Sequence, residues 1–476
     1  MTENDAVKSL VAFPRLNLFG RKQIILDYKE VNRGNVLEIL GKAMAIHEVN
    51  ASDINYLWNY YRGNQPILSR VKDIRPEICN KVVENRANEI VSFKVGYLCG
   101  EPIQYVGRSS ENGVADGVLR LNEYMFAEDK ASQDQEIVEW DMICGTAYRM
   151  VLADPNGAED DSPFEMYTLN PMEAFVAYSA ELGNKPLMGV TYRDTDKGRV
   201  YSVYTDAELF KIVGNEITGS APHAYGCVPI FEYPANHARL GSFEIVLPLL
   251  DAINNVASNR MDGMEQQIQA FLKFINCDID KDGLDKLREL GAIKVKSPQG
   301  MTADVDVVKT DLDQGQSQTF KKDLYDAVLT ICGMPNRNGG TSTSDTGAAV
   351  ILRDGWSLAE SRAKDSEHMF KKAEKQMLKL VLKICGELAG LGLKLKDIDM
   401  KFTRRNYEAI QSKSQVLCEM LKQPKIHPKL AFEHSGMFSD PESAYSMSEE
   451  YFKENAENWE PEAVNENETI REQETV

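Results

Sequence analysis

The chain lacks the residue patterns that metal, redox and nucleotide chemistry require. Its eight cysteines, Cys79, Cys99, Cys144, Cys227, Cys277, Cys332, Cys385 and Cys418, form no C-x-x-C and no short-range Cys/His spacing. They are expected to be reduced, mostly buried small hydrophobes. Of six histidines only His427 and His434 lie close together, with Pro428 between them, so neither a metal site nor a cofactor is expected. No strand-like run leads into G-x-G-x-x-G and a helix, which disfavours a Rossmann unit. No G-x-S-x-G elbow occurs, and no histidine has a neighbour that marks it as a base, so catalysis is not expected. Asp304 and Asp306 share one face of a strand-like segment, as a metal site needs, but solvated strand faces do the same.

Long apolar runs are also missing. The most apolar stretch, from Leu378, is broken by Lys379, Lys383 and Glu387, and no transmembrane helix is expected. The opening MTENDAVKSL has no basic segment followed by an apolar core, so no secretory signal is expected. Cations are scarce too: the formal net charge is −19, the wrong sign for a protein that grips nucleic acid through its phosphates. From Met437 onward there are twelve acidic and two basic residues, and the last fifteen or so read as a disordered acidic tail.

The 476 residues, 43% hydrophobic and 27% charged, suffice for two to four cores in a globular chain. Residues 33 to 62 have the pattern of two short helices, with Ser52 a candidate N-cap for the second. A longer helix is expected from about Pro76 to Leu98, then a loop over 107 to 117 and two helices to about Tyr148. Short Val- and Tyr-rich runs follow, AYRMVLAD, FEMYTLN, AFVAYSA, PLMGVTYRD, RVYSVYTD and ELFKIVG, separated by Asn, Gly, Asp or Pro. They predict an antiparallel sheet in an α+β domain.

Next comes a helix of about thirty residues from near Ser242, roughly 45 Å long at 1.5 Å per residue. Val246, Leu250, Ile253 and Met261 lie on its apolar stripe, and Asn254, Asn255, Ser258, Asn259, Asp262, Gln266 and Gln269 on its polar one. The polar face suits a water-lined surface, a subunit boundary or plain solvent. Residues 272 to 312 have the pattern of a small α/β insertion, and a second helix with Phe320, Leu324 and Val328 on one face returns from it. The two helices and the tip suggest a projecting hairpin. The loop PNRNGGTSTSDT, residues 335 to 346, is no phosphate cradle, because it lacks the Lys of G-x-x-x-x-G-K-[ST]. A surface connection capped by Ser344 or Asp345 accounts for its composition, but twelve residues exceed the two to eight that helix connections usually need. A long helix to Leu388, a last helical region and the acidic tail complete the pattern.

Several segments resemble the portal proteins of long-tailed bacteriophages of Gram-positive hosts: NYYRGNQPIL at 59 to 68, NKVVENRANEIVSFKVGYLCGEPIQY at 80 to 105, GCVPIFEYPAN at 226 to 236 leading into FEIVLPLLDAINNVASN, and MKFTRRN at 400 to 406. The similarity runs from about residue 55 to 440. It implies an α+β portal fold assembling as a ring: an N-terminal arm (1–24), a wing (25–240), stem helix 1 (241–270), a clip (271–312), stem helix 2 (313–334), a tunnel loop (335–346), a long wing/crown helix (347–392), an α-helical crown (393–460) and the tail (461–476). It implies a homododecameric ring at one capsid vertex, with double-stranded DNA passing through during packaging and ejection without sequence specificity. The implied partners are the terminase large subunit, the head-completion adaptor, and the capsid and scaffolding proteins, with no membrane. Localisation would be the virion, and the host cytoplasm during assembly.

By the same resemblance Asn336, Arg337, Asn338, Gly339, Gly340, Thr341, Ser342, Thr343 and Ser344 face DNA as a compliant contact. Val246, Leu250, Ile253, Met261, Phe320, Leu324 and Val328 form the stem. Lys281, Lys286, Arg288, Lys294 and Lys296 sit in the clip, where terminase and adaptor dock, although for the four lysines plain solvation is the favoured reading. The alternatives are a non-viral ring-forming scaffold or channel adaptor without DNA transport, and then an enzyme.

Overall fold

The computed structural model describes residues 20–108, 112–157, 162–196, 198–268, 271–275, 304–308, 314–336, 355–404, 407–438 and 441–455. A short strand β1 (Ile24–Leu26) leads into α1 (Val36–Tyr61), one continuous helix where the sequence pattern predicts two. Ser52 caps nothing, because one apolar stripe runs unbroken past it from Val36 to Tyr60. At ~1.5 Å per residue α1 is long enough to serve two cores. Its first half packs on a sheet through Val36, Ile39, Leu40 and Met44. Its second half enters the helical core through Ile54, Leu57 and Tyr60.

The helix expected from Pro76 begins only at Arg86: α2 is Arg86–Cys99. Asn85 caps it by accepting the N–H of Asn88. The segment before it lies extended for a reason given below. Strand β2 (Gln104–Gly107) follows, then α3 (Asn112–Ala127), which takes up much of the expected 107–117 loop. Helix α4 (Lys130–Cys144) stops at Gly145, whose φ of +82° suits glycine and whose Cα lies so near the Arg239 carbonyl that a Cβ would clash at 2.2 Å.

The strand-rich half is β3 (Thr146–Ala153), β4 (Phe164–Leu169), β5 (Ala174–Ser179), β6 (Pro186–Thr195), β7 (Gly198–Tyr204), β8 (Glu208–Val213), β9 (Glu216–Pro222) and β10 (Ile230–Pro234). Six strands form one sheet in the order β1-β5-β6-β7-β8-β9. It is an antiparallel meander except that β1 pairs parallel with β5, Ile24 opposite Ala177. A second sheet, β10-β3-β4, lies beside it. The sequence pattern missed β1, β9 and β10: three residues are too few to show alternation, and β9 is almost wholly exposed.

A 3-10 turn (Glu244–Val246) precedes α5 (Leu247–Ile268), so Val246 stands just outside the helix and Pro248 falls in its first turn, where no N–H partner is needed. Strands β11 (Phe271–Ile275) and β12 (Asp304–Val308) pair antiparallel, and α6 (Gln314–Cys332) returns against α5. Helix α7 (Trp356–Leu388) follows, and then β13 (Ile398–Lys401), which pairs with β2. The expected residues 347–354 of the long helix lie outside the described residues. Three short helices end the described chain: α8 (Tyr407–Leu421), α9 (Pro428–Ser435) and α10 (Pro441–Glu454).

Helix α7 joins two cores. Phe370 and Ala373 belong to the helical core of α1, α2, α4, α5 and α6. Met377, Leu378, Leu380, Val381, Leu382, Ile384 and Cys385 belong to a third core with α3, β2, β4 and β13. Of the described cysteines, Cys99, Cys144, Cys332 and Cys385 are buried, Cys79 and Cys227 half-buried and Cys418 exposed, all as free thiols.

Candidate functional site

The α5–α6 pair and the segment it grips form the first part of the site. Leu250, Ile253 and Val328 are buried with Tyr60, Phe243, Leu329 and Cys332, and Val246 joins them from the 3-10 turn. Leu324 packs at the margin. Met261 and Phe320 are exposed, at 39% and 54%. Toward β11 and β12 the pair therefore leaves apolar side chains in solvent.

The polar stripe of α5 is not a solvated face throughout. Asn254, Ser258 and Asp262, one turn apart, are all buried. They accept in turn the N–H of Glu84 (2.8 Å), Val82 (3.0 Å) and Asn80 (2.7 Å). A helix repeats every ~5.4 Å and an extended chain every ~6.6 Å per two residues, so alternate N–H groups meet successive turns. This ladder satisfies the backbone of 80–84 as a neighbouring strand would and keeps it from joining α2. Asp262 also binds Lys72 at 3.0 Å and Arg70 at 3.1 Å. Burial works against its charge, yet the Asn80 and Lys72 hydrogen bonds hold its carboxyl below the usual range. The outward half of the stripe, Asn255 and Asn259, stays exposed.

Helix α6 ends in a Schellman motif: Met334 N–H donates to Leu329 C=O at 2.8 Å and Gly333 N–H to Thr330 C=O at 3.2 Å, with Gly333 at φ +67°. Asn336 donates to Asp326 at 3.1 Å, tying the chain back to α6. Arg337 to Ser344 lie outside the described residues, as do Lys281, Lys286, Arg288, Lys294 and Lys296. Beside the motif a groove of about 830 Å³ separates α2 from α6. Arg86 lies 4.2 Å over the Tyr325 ring, Tyr325 OH donates to Glu89 at 2.7 Å, and Lys321 pairs with Glu84.

The second part of the site is a buried charge quartet. Lys130 pairs with Asp134 and with Glu374 (3.0 Å); Arg149 pairs with Asp134 (2.7 Å) and Glu374 (3.4 Å). Tyr105 and Tyr233 both donate to Glu374. Burial alone would raise the Glu374 pKa, but Lys130 and Arg149, with the two hydroxyls, lower it to about 2. These six residues tie α4, β2, β3 and β10 to α7. The sequence reasoning did not single them out, although a signal was present: Glu374 interrupts the apolar stripe of Phe370, Ala373 and Met377, and Arg149 sits in an otherwise apolar strand run.

Among the described residues no group of three or more His, Cys, Asp or Glu can hold a metal ion, and no helix is long and apolar enough to cross a membrane. A long helix locked to an extended segment by a backbone ladder and a charge-stitched core mark a mixed helix-and-sheet fold. Residues 40–468 match the family described as phage portal protein, SPP1 Gp6-like, and the chain belongs to that family. Portal proteins are non-enzymatic head-tail connector proteins of the phage virion. No curated protein matches. Among solved structures, a chain in the neck of an empty GTA particle, computed with C6 symmetry, is 12% identical over 74% of this chain and 90% of its own, with a TM-score of 0.46. A chain in the neck of a native GTA particle, computed with C12 symmetry, is 12% identical over 74% and 89%, with a TM-score of 0.44.

Proposed function

We propose that this protein is the portal subunit of a long-tailed phage of a Gram-positive host. Twelve copies form a ring at one capsid vertex, double-stranded DNA passes through the ring, and terminase and then the head-completion adaptor dock on it. The observation that carries the reading is the family match over 40–468. In this reading 25–240 is the wing, the helices within 241–270 and 313–334 are the stem, 271–312 is the clip, 335–346 is the tunnel loop, and 393–460 is the crown.

The physical features are consistent with a channel. Twelve copies at −19 carry about −230 formal charges, an assembly that repels a duplex on average and lets it slide. Exposed apolar side chains on Met261 and Phe320 of the helix pair, and on Met447, Tyr451 and Phe452 of α10, suit lateral burial against a neighbouring copy. In this reading Gly339 and Gly340 would let the tunnel loop bend as the duplex advances, and Arg337 is the only cation in 335–346.

Negative-stain class averages of the purified protein, backed by light scattering, test the ring. Closed rings of about twelve subunits with a central hole are expected. A monodisperse monomer at all salt and protein concentrations, joined by failure to enter capsids, overturns the reading. For the loop, replacing Asn338, Thr341 and Ser342 by alanine in assembled rings is expected to reduce packaged DNA; unchanged DNA length and yield would remove its role.

A further inference from the structure

Helix α7 changes character along its length. Near its start, Lys364 and Lys371 pair with Glu360 and Glu367 four residues earlier. Beyond that Lys371, Lys375, Lys379 and Lys383 follow one another at i,i+4, and Lys372 follows His368 at the same spacing. Such like-charge neighbours destabilise a helix by ~0.2–0.5 kcal/mol each. Lys372, Lys375, Lys379 and Lys383 are exposed and make no ion pair among the described residues. Lys379 donates only to Gln376, and Lys383 to the carbonyls of Ala224 and Tyr225. In a chain of net charge −19, four unpaired lysines over about 17 Å of one helix are an anomaly.

Lys372 and Lys379 also line a groove of about 790 Å³ between α7 and the sheets, which Lys185 borders from the loop before β6. Of its two carboxylates, Glu232 is already held by Arg239 at 2.6 Å and Tyr178 at 2.7 Å, leaving Asp206 at the rim. Phe231 and Val228 give it an apolar floor. The groove therefore suits an extended acidic peptide with an apolar anchor.

We propose that the occupant is the acidic segment 456–476 of the same chain. It carries seven glutamates against one arginine, and Trp459 as an apolar anchor. Length permits the contact. Pro441 and Trp356 border one cleft, so α10 starts near the start of α7. From there Lys372 to Lys383 lie about 24–40 Å along α7, and α10 itself adds at most about 21 Å. Twenty-one extended residues reach about 70 Å. Docking there neutralises the lysine run and withholds the segment from other cationic partners until one competes for it. This inference does not depend on the ring.

Zero-length carbodiimide cross-linking of the full chain, read by mass spectrometry, tests it. At low salt, cross-links from Glu457 to Glu474 are expected to concentrate on Lys185, Lys372, Lys375 and Lys379, and to disappear at high salt. A spread over all exposed lysines overturns the proposal. Cross-links joining isotopically labelled to unlabelled copies, in place of links within one copy, overturn the intramolecular assignment. Protection of the same lysines by added duplex DNA, with no cross-link to the segment, makes the groove a nucleic-acid contact instead. As a second readout, Lys372→Ser/Lys375→Ser/Lys379→Ser, on exposed positions that leave the fold intact, is expected to speed glutamyl-protease removal of the segment several-fold. An unchanged rate counts against docking whatever the state of assembly.

Discussion

Asp262 and Asn80, 182 positions apart, are joined by two hydrogen bonds to one carboxylate oxygen: Asp262 Oδ1 accepts the Asn80 backbone N–H at 2.7 Å and its side-chain Nδ2 at 3.0 Å. The other oxygen takes Lys72 and Arg70. One residue of the long helix therefore fixes both ends of the 70–80 segment. The first prediction concerns this residue. Asp262→Ala takes the acceptor from the Asn80 N–H and the carboxylate from Lys72 and Arg70, and is expected to destabilise by about 2–3 kcal/mol in urea unfolding. Asn255→Ala, on the exposed half of the same stripe, is expected to stay within about 0.5 kcal/mol. Equal effects at both positions would refute the ladder, as would undiminished amide-exchange protection at Asn80 in Asp262→Ala.

Glu374→Gln keeps the shape of the quartet but removes the charge that Lys130 and Arg149 share. A loss of about 3–5 kcal/mol is expected at neutral pH. Because the folded pKa of Glu374 is depressed below its ordinary 4.5, its stabilisation is full above that value and fades as pH falls toward about 2. Wild type and variant should therefore converge in acid. Parallel stability curves from pH 7 to pH 3 would show that the charge is not what matters.

His47 acts in the same direction but for a different reason, because burial keeps its ring neutral where ion pairs keep Glu374 charged. Its ring is buried against Phe175 at 4.5 Å, with Nε2 near Met172 O and Tyr192 OH. Burial lowers its pKa from 6.5 to about 4 despite the hydrogen bond to Met172. The unfolded chain takes up the proton first, so stability is lost as pH falls from 6.5 toward about 4, by up to about 3 kcal/mol. His47→Gln should flatten that interval in pH-dependent unfolding; an unaltered slope would assign it to other groups.

Gly333 holds the Schellman turn, and a Cβ there would meet Arg362 Cγ at 2.8 Å. Gly333→Ala is expected to destabilise by about 1–2 kcal/mol through its positive φ and this contact. Pairing it with Arg362→Ala should recover only the contact's share, which a double-mutant cycle in urea measures. Complete recovery would mean that backbone conformation at this turn is unimportant.

Local rules made much of the fold legible. Six Val- and Tyr-rich runs bounded by turn residues correspond to β3 through β8, because strand propensity and turn chemistry are local, and the apolar stripes of α5, α6 and α7 correspond to helices, because periodicity reports which face a helix buries. The same rules misread 76–85 as helix. Its residues have helical spacing, but the N–H groups of Asn80, Val82 and Glu84 bond to Asp262, Ser258 and Asn254, residues no local window contains. Of the stem residues named from the sequence, Leu250, Ile253 and Val328 are packed in the core while Met261 and Phe320 are exposed, a difference periodicity does not encode.

By itself the sequence determined the element types, the acidic balance, the lack of motifs for catalysis and the family resemblance, because each is carried by residue identity or short-range spacing. Only the tertiary structure decided that half of a polar helix face is buried as a backbone ladder, that Glu374 reaches Lys130 and Arg149, and that Lys372, Lys375, Lys379 and Lys383 find no carboxylate among the described residues. Those outcomes depend on which partner arrives from more than a hundred residues away. The strength of a charge or an N–H group is set by that partner and by the exclusion of water around the pair.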